Sequence, residues 1–325
     1  MSKNIIIQQK NQGQRLDKFL NEKIKDKSRS QIKKMIKQGL VLVNGQPAKV
    51  HHFLKTGDEI TFQQLSRRRD WPIAPSGDSY LIKTAPKIIF EDKNFLVIEK
   101  PIGLLVHPTG KNEKDTLVDW LVKQYPEIEK VGEQKYRAGI IHRLDRDVSG
   151  LMVVAKTNAA FTHLKEQFKN RMVKKEYLAL VYGHLTQAAG EIDLPIGRNK
   201  KGQFVAHPRQ GTDKFQAEDK IAKTKYQVVE YIKDYTLLKV QILTGRTHQI
   251  RVHLSALGHP ILGDQIYRPK KKFFHFLRRK IKVVDPGRIF LHSSKIGFYN
   301  LNNQWVEFTS PLPKKLNDYL NEIRT

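Results

Sequence analysis

The segment Gly139-Ile-Ile-His-Arg-Leu-Asp-Arg-Asp-Val-Ser-Gly-Leu151 constrains this chain more than any other. It closes on Ser149-Gly150 and runs into the unbroken apolar stretch Leu151-Met-Val-Val-Ala155. A short apolar run without alternation, led by a glycine, reads as a buried strand. The turn before it then sets Asp145 at the end of that strand, where a side chain can face a cleft. Asp145 stands between Arg143 and Arg146, and neighbouring positive charge favours the carboxylate form of an acid.

The whole chain shares this bias. Lys plus Arg number 59 against 32 for Asp plus Glu, a formal net charge of +27 over 325 residues. A carboxylate on so basic a surface points to chemistry on a polyanion. A solubilising charge or an anionic membrane surface would show the same excess. The basic residues cluster on several separate segments, however, which favours nucleic acid. There is no cysteine, so disulfides, thiol nucleophiles and cysteine-ligated zinc are out. The first ten residues hold too short an apolar run for a signal peptide, and no segment is long enough to span a bilayer. A cytoplasmic protein with no membrane partner is expected, and, without any coiled-coil pattern, a monomer.

The pattern divides the chain into a small module over 1–65, a linker over 66–85 and a larger domain over 86–325. In the module, Arg15-Leu-Asp-Lys-Phe-Leu20 has helical spacing. Ser28 or Ser30 caps a second helix through Ile32, Met35 and Ile36, ended by Gly39. Leu40–Val43 reads as a strand, Asn44-Gly45 as a tight hairpin and Glu59–Phe62 as a further strand. The second helix carries Arg29, Lys33, Lys34 and Lys37, either a solvated basic face or a groove for RNA phosphates. The linker holds Arg67-Arg68-Arg69, two prolines and Gly77.

In the larger domain, strands are expected at Ile88–Phe90, Phe95–Glu99, Tyr177–Tyr182 and Tyr235–Leu243. Amphipathic helices are expected at Thr116–Val122 and Ala159–Phe168. Strands and helices without a βαβ rhythm predict an α+β architecture. Segment 268–282 interleaves aromatic and basic residues, which suits base stacking with phosphate neutralisation and equally a basic surface helix.

Asp145 has a plainer reading, a structural ion pair with Arg143 or Arg146. Its place at a strand end argues against that. So does a second donor-rich segment, Gly245-Arg-Thr-His-Gln-Ile-Arg-Val-His253. A kinase loop is excluded, because Leu144 interrupts His-Arg-Asp and no Asp-Phe-Gly follows. His107, His142, His248, His253 and His259 lack metal-ligand spacing, so no metal is expected. Asp145 with Asp147 as a glycosidase-like pair is disfavoured, because Asp147 reads as an ion-paired support beside Arg146.

Two resemblances organise these readings. Arg15-Leu-Asp17, Ser28-Arg-Ser-Gln-Ile32, Val41-Leu-Val-Asn-Gly45 and Lys55-Thr-Gly-Asp58 resemble the S-four RNA-binding domain. Gly139–Leu151 resembles the catalytic signature of the RluA-type pseudouridine synthases. The likeness continues through Lys100–Pro108, Lys174–Gly183, Pro195–Arg198, Thr244–His253, Leu257–Asp264 and Leu291-His292. Val148 stands where a threonine is usual, an isosteric change. Tyr125–Ile128 with Val131-Gly132 is most similar to the RluD-like branch, which modifies large-subunit ribosomal RNA.

The resemblance implies a small S-four-like α/β module and a mixed, largely antiparallel catalytic domain. It implies isomerisation of uridine to pseudouridine without a cofactor, on large-subunit rRNA. It makes Asp145 the nucleophile or base, Arg246 its paired arginine, Tyr177 the residue stacked on the target base and Arg143 the one that fills the gap left by base flipping. The remaining alternatives are the same activity on tRNA or other rRNA sites, a silent ribosome-assembly factor, and an RNA N-glycosidase.

Overall fold

The computed structural model describes residues 5–24, 32, 35, 36, 41–48, 51–62, 85–108, 113–199, 202–207, 219–268 and 285–325. The chain forms two compact units, Met1–Ser76 and Gly77–Thr325, divided inside the expected linker. Of that linker, 66–85, only Ala85 is among the described residues. Arg29, Lys33, Lys34, Lys37 and nearly all of 268–282 also lie outside them.

In the first unit, helix α1 (Leu16–Lys23) buries Leu16, Phe19 and Leu20 against a small sheet. Residues 32, 35 and 36 are helical, and Ile32 and Ile36 join the same core. The sheet holds β1 (Ile5–Ile6), β2 (Val41–Val43), β3 (Gln46–Pro47) and β4 (Glu59–Phe62) in the antiparallel order β1-β4-β2-β3. The β2–β3 turn is the expected Asn44-Gly45, with φ of 52° and 75°. Left-handed backbone at both centres is the hairpin turn whose twist matches the strands, and Asn-Gly adopts it at least cost.

The second unit is built on one mixed sheet. Its strands are β5 (Lys87–Glu91), β6 (Phe95–Lys100), β7 (Ser149–Ala155), β8 (Lys174–Tyr182), β9 (Ala189–Asp193), β12 (Lys223–Ile232), β13 (Tyr235–Ile242), β14 (Leu291–Tyr299) and β15 (Trp305–Thr309). A separate antiparallel pair is formed by β10 (Ile196–Arg198) and β11 (Phe204–Ala206). The main order is β5-β6-β7-β14-β8-β13-β12-β9, with β15 also on β14. Among the described residues every pairing of this sheet is antiparallel except β7 with β14, where Ser149 and Gly150 face His292 and Ser293. The expected α+β class with a largely antiparallel catalytic sheet is what the chain adopts.

β7 is buried along its whole length. Met152 and Val154 face the main core, while Leu151 and Val153 face a second core with Phe95, Val97, Ile296 and Phe298. That two-sided burial is why its sequence does not alternate. Gly150 makes the parallel pairing possible. It has φ of 122°, and a Cβ there would lie 2.3 Å from the Ser293 carbonyl oxygen.

Helix α2 (Leu117–Gln124) packs Leu117, Val118 and Leu121 on the main core. Thr116 and Asp119 close a reciprocal capping box at its start. Helix α3 (Asn158–Lys169) lays Leu164 and Phe168 on the second core. Two further helices are α4 (Gln249–Ala256) and α5 (Lys314–Arg324). No described helix is long and apolar enough to cross a membrane.

Candidate active site

Asp145 opens a tight turn that leads into β7, its carbonyl accepting from the Val148 amide at 3.1 Å. The buried Val148 and Leu144 on either side anchor the turn in the core. The Asp145 side chain keeps 21% of its exposure and lines a cavity of about 100 Å³ with Arg143, Tyr177 and Arg246. The structure thus brings together the four residues of the larger domain singled out in the sequence. Asp145 is the one carboxylate among the described residues lining that cavity.

The arginine paired with Asp145 is Arg251, not Arg246. Arg251 Nη1 donates to Asp145 Oδ2 at 3.2 Å, and the side chain is 3% exposed. Its Nε and Nη2 hold Asp264 in a two-pronged contact at 2.7 and 2.9 Å. Asp264 Oδ1 also accepts from the amides of Ile266 and Tyr267. Burial opposes the charged form of Arg251, but the bonds and charges of Asp264 and Asp145 outweigh it and raise its pKa. Burial likewise opposes the Asp264 carboxylate, and Arg251 with the two amides lowers its pKa nonetheless. A planar fork fixed by one carboxylate is a rigid mount for a second.

Arg246 has other commitments. It sits before α4, with its Nε donating to the Ile221 carbonyl at 3.0 Å and its backbone amide to Gln249 Oε1 at 3.0 Å. Gln249 in turn receives Thr244 and donates to Lys223 and Thr224, so it pins the loop to β12. Sequence spacing gave no ground for choosing between two arginines in one motif. The choice is set by α4, whose helical turn brings Arg251 to Asp145.

Tyr177 is buried on β8. Burial first, then the Asp145 charge, raises its pKa against a Ser293 hydrogen bond, so the phenol stays neutral. His248 occupies the left-handed region at φ 56° and places Nε2 3.8 Å from Asp145 Oδ2, with Nδ1 3.0 Å from the Tyr267 hydroxyl. Burial, helped by Arg251, lowers its pKa against the Asp145 charge, which would raise it. Arg251, Asp264, His248 and Tyr267 were not singled out as site residues, though three of the four lie in the motif segments.

Arg143 is exposed and donates to His107 Nε2 at 3.3 Å. Burial and Arg143 push His107 down to about 4. The other histidines serve separate places: His142 accepts from the Val153 amide, His253 faces Thr224 and the Leu194 carbonyl, and His259 faces the Tyr182 carbonyl. Asp147 is exposed, and its charge acts on Lys100 and Arg288.

Known proteins share this arrangement of sequence and fold. Residues 94–256 match the family described as RNA pseudouridylate synthase, and residues 14–60 match the S4 domain. The uncharacterized RNA pseudouridine synthase YlyB of Bacillus subtilis is 34% identical, across 98% of this chain and 97% of its own. The ribosomal large subunit pseudouridine synthase D of Yersinia pestis is 36% identical, across 96% of this chain and 91% of its own. Among solved structures, human RNA pseudouridylate synthase domain containing 4 aligns with a TM-score of 0.57 at 26% identity, covering 73% of this chain and 93% of that one. The chain belongs to the RNA pseudouridylate synthase family and carries an S4 domain in its N-terminal unit. Its reaction is the isomerisation of uridine to pseudouridine in RNA.

Proposed function

We propose that this enzyme modifies specific uridines of large-subunit ribosomal RNA, with Asp145 as the essential nucleophile or base. The observation that carries the reading is Asp145, the one carboxylate among the described residues lining the cavity, mounted on Arg251 and set beside the aromatic Tyr177. The S4 domain and the relative named ribosomal large subunit pseudouridine synthase D support rRNA as the substrate.

In the reaction the bond from ribose C1′ to uracil N1 breaks, the base turns, and C1′ joins C5. The C5 proton leaves and N1 gains one, so atoms balance. A positioned carboxylate divides that exchange into two easier steps. The target base must leave its stack to reach Asp145. Tyr177 offers it an aromatic face, and its neutral hydroxyl is a donor rather than an anion. Arg143, at the exposed lip, fills the gap with its planar guanidinium. Arg246, on the same cavity, contacts the incoming strand. In the N-terminal unit, Arg29, Lys33, Lys34 and Lys37 hold the structured RNA through its phosphates.

The test is carbodiimide-adduct primer extension on large-subunit rRNA incubated with wild type and with Asp145→Asn. New stops made by the wild type alone support the reading and name the uridines. Stops on tRNA but not on rRNA would move the substrate to tRNA. No stops on either would leave an RNA-binding protein.

A further inference from the structure

A second hollow, of about 470 Å³, adjoins the Asp145 cavity. Arg143, Tyr177 and Arg246 line both. Lys175 lies two residues before Tyr177 on β8, hence on the same face of the strand. Lys169 and Arg171 complete a lining of five cations, and no described lining residue is acidic. Arg171 has a left-handed φ of 60° just past the end of α3. Glycine or asparagine takes such a place more cheaply, so an arginine held there is a candidate for function.

The chemistry of the hollow selects its ligand. Of its two aromatic residues, Tyr177 is shared with the Asp145 cavity, where it faces the target base, and Phe168 is already engaged: His142 stacks on it at 4.7 Å, and the Lys175 ammonium lies 5.1 Å over it. Little ring surface is left for a base. His142 spends Nε2 on the Val153 amide, and burial pushes it down to about 3, so it is neutral. What remains is the half-buried Lys175 ammonium, with the exposed Lys169, Arg143 and Arg171 around it. Burial is the influence that pushes Lys175 down to about 8, and a bound anion would reverse it.

We propose that this hollow is a backbone-phosphate site for the RNA strand next to the target uridine, with Lys175 as its inner ligand and Arg171 at its rim. This rests on the reading that RNA enters beside Asp145. A phosphodiester held here would fix the strand within one or two nucleotides of the reacting uridine. Lys175 is thereby a binding residue that registers the strand, not a participant in bond exchange.

The probe is hexauridylate. Lysine acetylation of the full-length wild type, read by mass spectrometry, is compared with and without saturating hexauridylate. Lys175 is expected to lose reactivity by about fivefold or more. In anisotropy titrations, Lys175→Met weakens binding about tenfold and lowers the salt slope by about one, while Lys175→Arg stays within about threefold. Arg171→Ala, at an exposed position, follows Lys175→Met in direction with a smaller loss. Unchanged Lys175 reactivity, or wild-type affinity and slope in Lys175→Met, would overturn the proposal. So would a wild type that does not bind hexauridylate. Failure of the rRNA reading is a different result: binding and protection persist while no pseudouridine forms.

Discussion

Arg246 and Arg251 lie five residues apart in one motif, and the guanidinium that reaches Asp145 is that of Arg251. Spacing in a chain does not say which turn of a helix faces a cleft. Asp145, Tyr177 and Arg143 were legible as cavity residues although each motif holds a second residue of the same type, Asp147, Tyr182 and Arg146, because the resemblance matched one position of each pair. The Arg251–Asp264 mount was not, because Asp264 lies in a separate segment that only folding brings near. A lysine is a point charge and cannot bridge two carboxylates as the guanidinium fork does. Arg251→Lys therefore lowers turnover by about 100-fold, as expected for a misplaced reacting group, with smaller loss of RNA binding. Arg246→Lys, whose Nε meets a backbone carbonyl, costs less turnover; steady-state kinetics of the two variants checks the order.

Among the elements, the strand after the catalytic turn was legible, and its partner was not. Apolar runs announced β6, β7, β8 and β13; two-sided burial excludes polar residues from Phe95–Ile98 and Leu151–Ala155, while β8 and β13 keep polar residues only at their less buried positions and at Thr236. The parallel pairing of β7 with β14 joins segments about 140 residues apart, which no local pattern encodes. Helix α4 was missed because Gln249–Leu254 is buried on every side, with no polar face to mark a helix, and includes Gln249, Arg251 and His253, polar groups satisfied by partners from elsewhere. Gly150 gives the sharpest test. A Cβ would meet Ser293 backbone atoms at 2.3 and 2.5 Å, at a φ that side chains rarely adopt. Gly150→Ala should cost at least about 2 kcal/mol, through strain that rigid backbone cannot relieve. Gly245→Ala, where nothing lies within 4 Å, should stay within about 0.5 kcal/mol. Urea unfolding of both variants decides.

At the scale of the molecule, charge sets both stability and partner. His107, His142 and His292 are held neutral in the folded state, burial pushing them to about 4, 3 and 4 from an ordinary 6.5. A depressed folded pKa means stability is full above the unfolded value and is lost as pH falls toward the folded one. Stability of the larger unit should therefore decline from about pH 6.5 to 4, by at most about 1.4 kcal/mol per pH unit for each histidine. Urea midpoints across that range measure it, and a flat profile would contradict it. The basic excess was plain from composition, and its use on phosphate follows from it. Lys33→Glu with Lys34→Glu should weaken rRNA binding by about tenfold or more and flatten its salt dependence, measured by filter binding. The central claim concerns Asp145, and tritium release from rRNA transcript labelled at uridine C5 tests it most directly. Asp145→Asn should bind the transcript within about threefold of wild type, because phosphate contacts dominate affinity, yet release tritium at least about 1,000-fold more slowly. Release within tenfold of wild type would contradict the account.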